Sequence, residues 1–314
     1  MSSVQIAAIG EVMIELSQQQ DASYALGVAG DTFNTCVTLA RLGTSCEYAT
    51  ALGDDTFSER IRDAIAGHGI GTGRIETLPG QLRGLYATEI DAQGERRFSY
   101  WRDSSAARQW LADPNAFAVF ADRQMQCPRL YWSGITLALM TQQIRDAMHG
   151  FLRAYRQTGG RVYFDSNYRD GLWPNAAVAR DAYARAVEEC DLYLPSLEDA
   201  AVIHQHDDVE QVIEHLRRSS DTDAVISVPD GAVWSRGETT CHVALERQRP
   251  IVDATGAGDA FSGAFIAARI RGLDPESCIH FAHAIARRVV EHRGALLPDH
   301  AWREVESATA AVSV

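Results

Sequence analysis

Apolar residues fall along the chain in two alternating rhythms. Short apolar runs at 4–9, 46–51, 129–132, 161–164, 192–194 and 224–228 carry the pattern of buried strands. Between them, residues 31–42, 57–68, 142–157, 176–189 and 209–218 place apolar side chains at helical spacing. Gly43 and Gly69 stand where the first two of these helices should stop. Residues 258–271 and 275–293 read as the final helices. The strand–helix alternation from residue 129 onward predicts a parallel sheet wrapped by helices, an α/β fold. Residues 84–102 break the rhythm: a run at 85–90, a turn at 91–94 and a run at 97–101 predict a hairpin. The sequence shows no repeat, low-complexity segment or linker, so one domain over residues 1–314 is expected.

Composition narrows the function classes. A chain of 314 residues is long enough to bury a sizeable core. A formal net charge of −13 disfavours nucleic acid or an anionic membrane as partner. The 6 cysteines are scattered and form no Cys-x-x-Cys pair, which suits reduced thiols rather than zinc or disulfides. His204 and His206 lie in a polar, acidic stretch that reads as exposed surface. No basic region precedes an apolar run at the start, and no apolar run approaches the ~20 residues of a membrane span. A cytoplasmic location is the expectation.

The densest chemistry lies in Asp253-Ala254-Thr255-Gly256-Ala257-Gly258-Asp259-Ala260-Phe261. Gly256 and Gly258 let the backbone approach a ligand closely. The helix that follows presents free N–H groups that favour an anion. Asp259, in the first turn, stands beside that anion site. An Asp there is also a favourable dipole partner with no further role. The dinucleotide-binding pattern fails for want of a third glycine in place, and no Gly-Lys-Ser/Thr is present.

This stretch is similar to the signature of the ribokinase-like (PfkB) sugar kinases. Gly10-Glu11-Val12-Met13-Ile14-Glu15-Leu16, Gly30-Asp31-Thr32-Phe33-Asn34-Thr35, Gly84-Leu85-Tyr86, residues 94–102, Phe164-Asp165-Ser166-Asn167-Tyr168-Arg169 and His292-Arg293-Gly294-Ala295 extend the likeness over nearly the whole chain. Their order and spacing resemble the kinases of 2-keto-3-deoxygluconate. The resemblance implies a three-layer α/β/α fold with a small β-sheet lid from about residues 11–30 and 83–102. It implies ATP and Mg²⁺ as cofactors, a sugar acid as substrate, and a homo-oligomer. Asp259 would be the base, with the amides of Gly256, Ala257 and Gly258 as anion hole. Gly30, Asp31, Asn34, Tyr86, Tyr100, Arg102 and Arg169 would face the sugar, the two arginines suiting its carboxylate. Asn167, Arg169, Ser196, Ser227 and Gly231 would face the nucleotide, and Asp199 a metal ion, directly or through water. Asp253 would orient the turn or influence a cation.

Three departures stand out. Ala29-Gly30-Asp31 replaces the family's Gly-Gly-Asp. Ser196-Leu197-Glu198-Asp199 replaces Asn-x-x-Glu, leaving Glu198 and Asp199 as alternative acids. Ser227-Val228-Pro229-Asp230-Gly231 lacks the usual Lys and one glycine of the nucleotide loop. Alternatives are a kinase for fructose or 2-keto-3-deoxygalactonate, and a non-catalytic sugar or nucleotide sensor on the same fold.

Overall fold

The computed structural model describes residues 3–19, 21, 23–90, 96–245 and 251–311. The predicted turn at 91–94 lies outside them. The chain opens with β1 (Ile6–Ile9), β2 (Met13–Gln18) and β3 (Tyr24–Ala29), then α1 (Asp31–Arg41), β4 (Cys46–Leu52), α2 (Thr56–Gly67) and β5 (Ile75–Thr77). Next come β6 (Gly84–Ile90), β7 (Arg96–Trp101), α3 (Ala106–Trp110), α4 (Pro114–Gln124), β8 (Arg129–Ser133), α5 (Gly134–Leu139) and α6 (Gln142–Gln157). The series continues with β9 (Arg161–Asp165), α7 (Ala176–Glu188), β10 (Leu192–Leu194), α8 (Leu197–Ile203), α9 (Val209–Ser219), β11 (Asp223–Val228), β12 (Gly231–Arg236) and β13 (Thr239–Ala244). It closes with α10 (Ala257–Ile270), α11 (Pro275–Val290) and α12 (Asp299–Ala311).

Among the described residues the main sheet has nine strands in the order β13-β12-β11-β10-β9-β8-β1-β4-β5. Pairing is parallel from β5 to β11, whereas β12 and β13 run antiparallel along one edge. That edge and α12 correct the expectation of a purely parallel sheet ending in two helices. Alternate residues of the central strands serve two cores. Ile6, Ala8, Tyr48 and Tyr131 join α1, α2, α10, α11 and α12 on one face. Ile9, Ala49, Leu130 and Trp132 join α4 to α9 on the other. This makes the three layers.

One helix crossing sets the site. Helix α10 is rich in small residues, and a Cβ on its Gly263 would stand 2.7 Å from Thr35 O of α1. Glycine there lets the two backbones touch. Phe33 and Phe265, both fully buried, lock the same core, each contributing roughly 1.5–3 kcal/mol of apolar burial. The first turn of α10 is thereby held against the first turn of α1.

The second sheet, order β3-β2-β6-β7, is the lid. Strand β2 pairs antiparallel with β3 and parallel with β6, and β6 pairs antiparallel with β7. Met13, Glu15, Tyr86 and Tyr100 share one of its faces by register.

Candidate active site

A cleft of ≈ 830 Å³ lies between the lid and the carboxyl ends of the parallel strands, the usual ligand position in open α/β sheets. At its floor, Gly256 caps α10 with φ 77° and no side-chain cap bond. A Cβ on Gly256 would stand 2.1 Å from Ala295 O, so only glycine fits this turn. The buried carboxylate of Asp253 ties the turn down, accepting from Thr255 N (2.9 Å) and Gly294 N (2.7 Å). Gly256, Gly258 and Asp259 line the cleft. The opening amides of α10 and the positive end of its dipole thus face the space a phosphate would take.

Asp259 meets its partners across the helix crossing. Asn34 Nδ2 donates to Asp259 Oδ2 (2.8 Å), and Thr35 Oγ1 donates to the Asp259 carbonyl (3.2 Å). Burial, and after it the negative charge of Asp31, push the Asp259 carboxyl well above the usual carboxylate range. The Asn34 bond opposes the rise, Asp165 adds to it and Arg169 offsets part of it. A carboxylate so placed is a stronger proton acceptor than a solvated one.

Asp31 is held by Ser133 Oγ and by Asn167 Nδ2 (3.2 Å). Asn167 adopts φ 29°, uncommon for a side-chain-bearing residue. Its N–H rests on Asp165 Oδ1 (3.1 Å). Asp165 also accepts from Ser262 Oγ (2.7 Å) and Tyr131 OH (3.3 Å). Burial pushes the Asp165 carboxyl up to about 7, with the Ser262 bond opposing and Asp31 and Asp199 adding. Asp165 and Ser262 line the cleft and were absent from the predicted site residues. Position offered a signal: Asp165 closes β9 at the carboxyl edge of the sheet, inside the Phe164–Arg169 segment.

The other predicted residues divide. Gly30, Tyr86, Tyr100, Arg169, Ser196 and Ser227 line the cleft. A Cβ on Gly30 would stand 2.4 Å from Glu11 O, so this glycine serves close packing at the lid root. The extra methyl of Ala29 is buried with Met13, Tyr86 and Ala295. Ser196 caps α8 by accepting from Asp199 N (3.0 Å). Asp199 Oδ2 accepts from Ser166 Oγ (2.5 Å) and Tyr168 N (3.1 Å), which holds its carboxylate at the cleft wall. Glu198 lines the same wall. Gly231 is elsewhere: it opens β12, and a Cβ on it would meet Val243 O at 2.1 Å, so its close approach is to β13. The amide of Ala257 bonds Ala254 O (3.3 Å), while Gly256 and Gly258 line the cleft.

Arg102 brings the largest departure from expectation. It lines the cleft but is only 7% exposed, and its Nη2 forms an ion pair with Glu11 Oε2. Its guanidinium lies 5.7 Å from the Tyr100 ring. Arg169 is exposed, and its Nη1 donates to Tyr168 O (2.9 Å). Among the described lining residues, Glu11, Asp31, Asp165, Glu198, Asp199, Asp253 and Asp259 face only these two arginines. So acidic a cleft favours a divalent cation wherever phosphates enter. Among the described residues no three His, Cys, Asp or Glu side chains form a metal cage of their own. The donor set fits a hard ion carried mainly by phosphate oxygens.

The model of the pfkB family of carbohydrate kinases matches residues 4–302. The chain belongs to the PfkB family and is a carbohydrate kinase. The 2-dehydro-3-deoxygluconokinase of Dickeya dadantii is 34% identical over 314 residues, spanning 95% of this chain and 98% of the relative. Its counterpart of the same name from Escherichia coli K12 is 33% identical, spanning 95% and 99%. The solved structure of a fructokinase with bound ATP from Xylella fastidiosa has a TM-score of 0.81, covering 98% of this chain and 100% of that one at 22% identity. Likeness at that identity speaks for the fold. Among the described residues no helix is long and apolar enough to cross a membrane.

Proposed function

We propose that this kinase transfers the γ-phosphoryl group of ATP to the 6-hydroxyl of 2-keto-3-deoxygluconate, giving the 6-phosphate and ADP. The observation that carries the reading is Asp259, bonded to Asn34 at the glycine-capped opening of α10. The relatives at 34% and 33% identity support the substrate. In the reaction Asp259 receives the hydroxyl proton as the oxygen attacks phosphorus. The amides opening α10 hold the phosphate oxygens, and Asn34 keeps the base aimed. Asp31, gripped by Ser133 and Asn167, orients the sugar hydroxyls. The lid tyrosines Tyr86 and Tyr100 cover the sugar and limit water, which would otherwise take the phosphate. Arg169 supplies positive charge for the sugar carboxylate. Mg²⁺, when bound, neutralises the phosphates, and Asp199 is the carboxylate that would hold it, directly or through water.

The ion pair between Arg102 and Glu11 favours a second reading, a neutral ketose such as fructose, because the arginine charge is already balanced. One assay separates the two. ADP release from Mg-ATP is measured with 2-keto-3-deoxygluconate, 2-keto-3-deoxygalactonate and fructose. Turnover favouring the gluconate and falling by roughly 10²–10⁴ in Asp259→Asn is expected. Preference for fructose selects the second reading. Full activity in Asp259→Asn removes Asp259 as base.

A further inference from the structure

Glu11 is 2% exposed, yet its carboxylate does not sit in a strand or helix. It stands in the link from β1 to β2, where the lid leaves the main sheet. The roots of β6 and β7 meet its carboxylate. Ser105 Oγ, at the cap of α3 just past β7, donates to Glu11 Oε1. Arg102, directly after β7, pairs with Oε2. Gly84, the first residue of β6, lies so close that a Cβ would stand 2.6 Å from Oε1. A buried carboxylate needs such partners, since an unpaired one is costly. The pair, however, is incomplete on both sides: the contact is an ion pair in which Glu11 Oε2 accepts no hydrogen bond, and the buried Arg102 Nε–H has no acceptor, among the described residues. An arginine on the cleft wall, pinned through one nitrogen and with another lacking a partner, is suited to a ligand oxygen.

We propose that Glu11 is a positioning residue that tunes how tightly acid sugars are held, acting through Arg102. This rests on the sugar-acid reading given above. Glu11 fixes the guanidinium at the lid root so that Arg102 takes a sugar carboxylate with its remaining N–H groups. At the same time its negative charge weakens that grip, because the sugar carboxylate and Glu11 share one cation. The pair therefore keeps the acid end of substrate and product from binding too tightly under a closed lid. A neutral sugar, having no carboxylate, should be nearly indifferent to the charge on Glu11.

The test compares wild type, Glu11→Gln, Ser105→Ala and Glu11→Gln/Arg102→Ala. KM and kcat are read for 2-keto-3-deoxygluconate, for fructose and for ATP. Glutamine keeps the shape and removes the charge. The expected result is a KM for the acid sugar lowered roughly three- to tenfold in Glu11→Gln, with kcat reduced, and KM for fructose and ATP within about twofold. The gain should vanish when Arg102 is also removed. Ser105→Ala, which leaves the ion pair in place and loosens only its anchor, should raise KM for the acid sugar and spare fructose. This variant decides the matter if Glu11→Gln does not fold. Equal changes for acid and neutral sugar in these variants would make Glu11 a structural residue only and overturn the inference. A wild type that turns over fructose but no sugar acid would overturn both this inference and the reading beneath it. A wild type that prefers the acid while neither variant changes the ratio of acid-sugar to fructose KM would overturn the inference alone.

Discussion

Asp259 shows how far a single residue can be understood from its surroundings. Its type and its place after a glycine turn were readable in the sequence, because both are local. Its elevated pKa was not, since that comes from burial and from Asp31, brought in by α1. As the proposed base, Asp259 must be ionised to accept a proton, so turnover should rise with pH through its titration. Asp31→Asn removes one of the two leading causes of the rise. The acidic limb of kcat/KM should therefore move to lower pH, while burial keeps it above the usual carboxylate range. An unmoved limb would mean that another group sets it. Arg102 is the opposite case. Its place at the cleft was readable, but its ion pair with Glu11 was not, because nothing local links two residues so far apart in the chain.

At the scale of elements, periodicity located most of the long helices and central strands almost to the residue, as α6 and β10 coincide with their predicted spans, whereas α4 and α12 were not predicted. Short helices such as α3, α5 and α8 were not legible because so few residues cannot display a full apolar stripe. The β12–β13 edge was hidden because its exposed face is polar. The opening of α10 yields a paired prediction. Gly256 needs its left-handed φ and lies against Ala295, so Gly256→Ala should lower stability by at least ~1–3 kcal/mol and abolish turnover. Gly258 has neither constraint, since a methyl placed on it would meet nothing within 4 Å among the described residues. Gly258→Ala should therefore unfold at the wild-type temperature but show a higher KM for ATP, since a methyl would intrude where phosphate approaches. A normal KM would move the phosphate away from this turn. Thermal melts and steady-state kinetics on the two variants check both statements.

For the whole molecule, the cleft carries a stability cost that depends on pH. Asp165 titrates near 7 in the folded chain, mainly through burial, against about 3.9 when unfolded. Between those values the native state binds more protons than the unfolded one, so stability falls as pH rises from about 4 through about 7. Asp259 contributes with the same sign. Asp165→Asn should flatten the decline in melting temperature between pH 5 and pH 8 without removing it. An unchanged slope would show that Asp165 is not a source of it. The layered fold itself was readable from strand–helix alternation. The carboxylate cluster was not, because it exists only once distant strand ends are side by side.

The bond between Asn34 and Asp259 spans 225 positions of chain. A ribosome releases Asn34 long before it delivers Asp259. On the proposed reading, a nascent chain has no base in place and no glycine turn to receive phosphate until α10 docks on α1. If Asp259 is the base, competence to react arrives only with that docking.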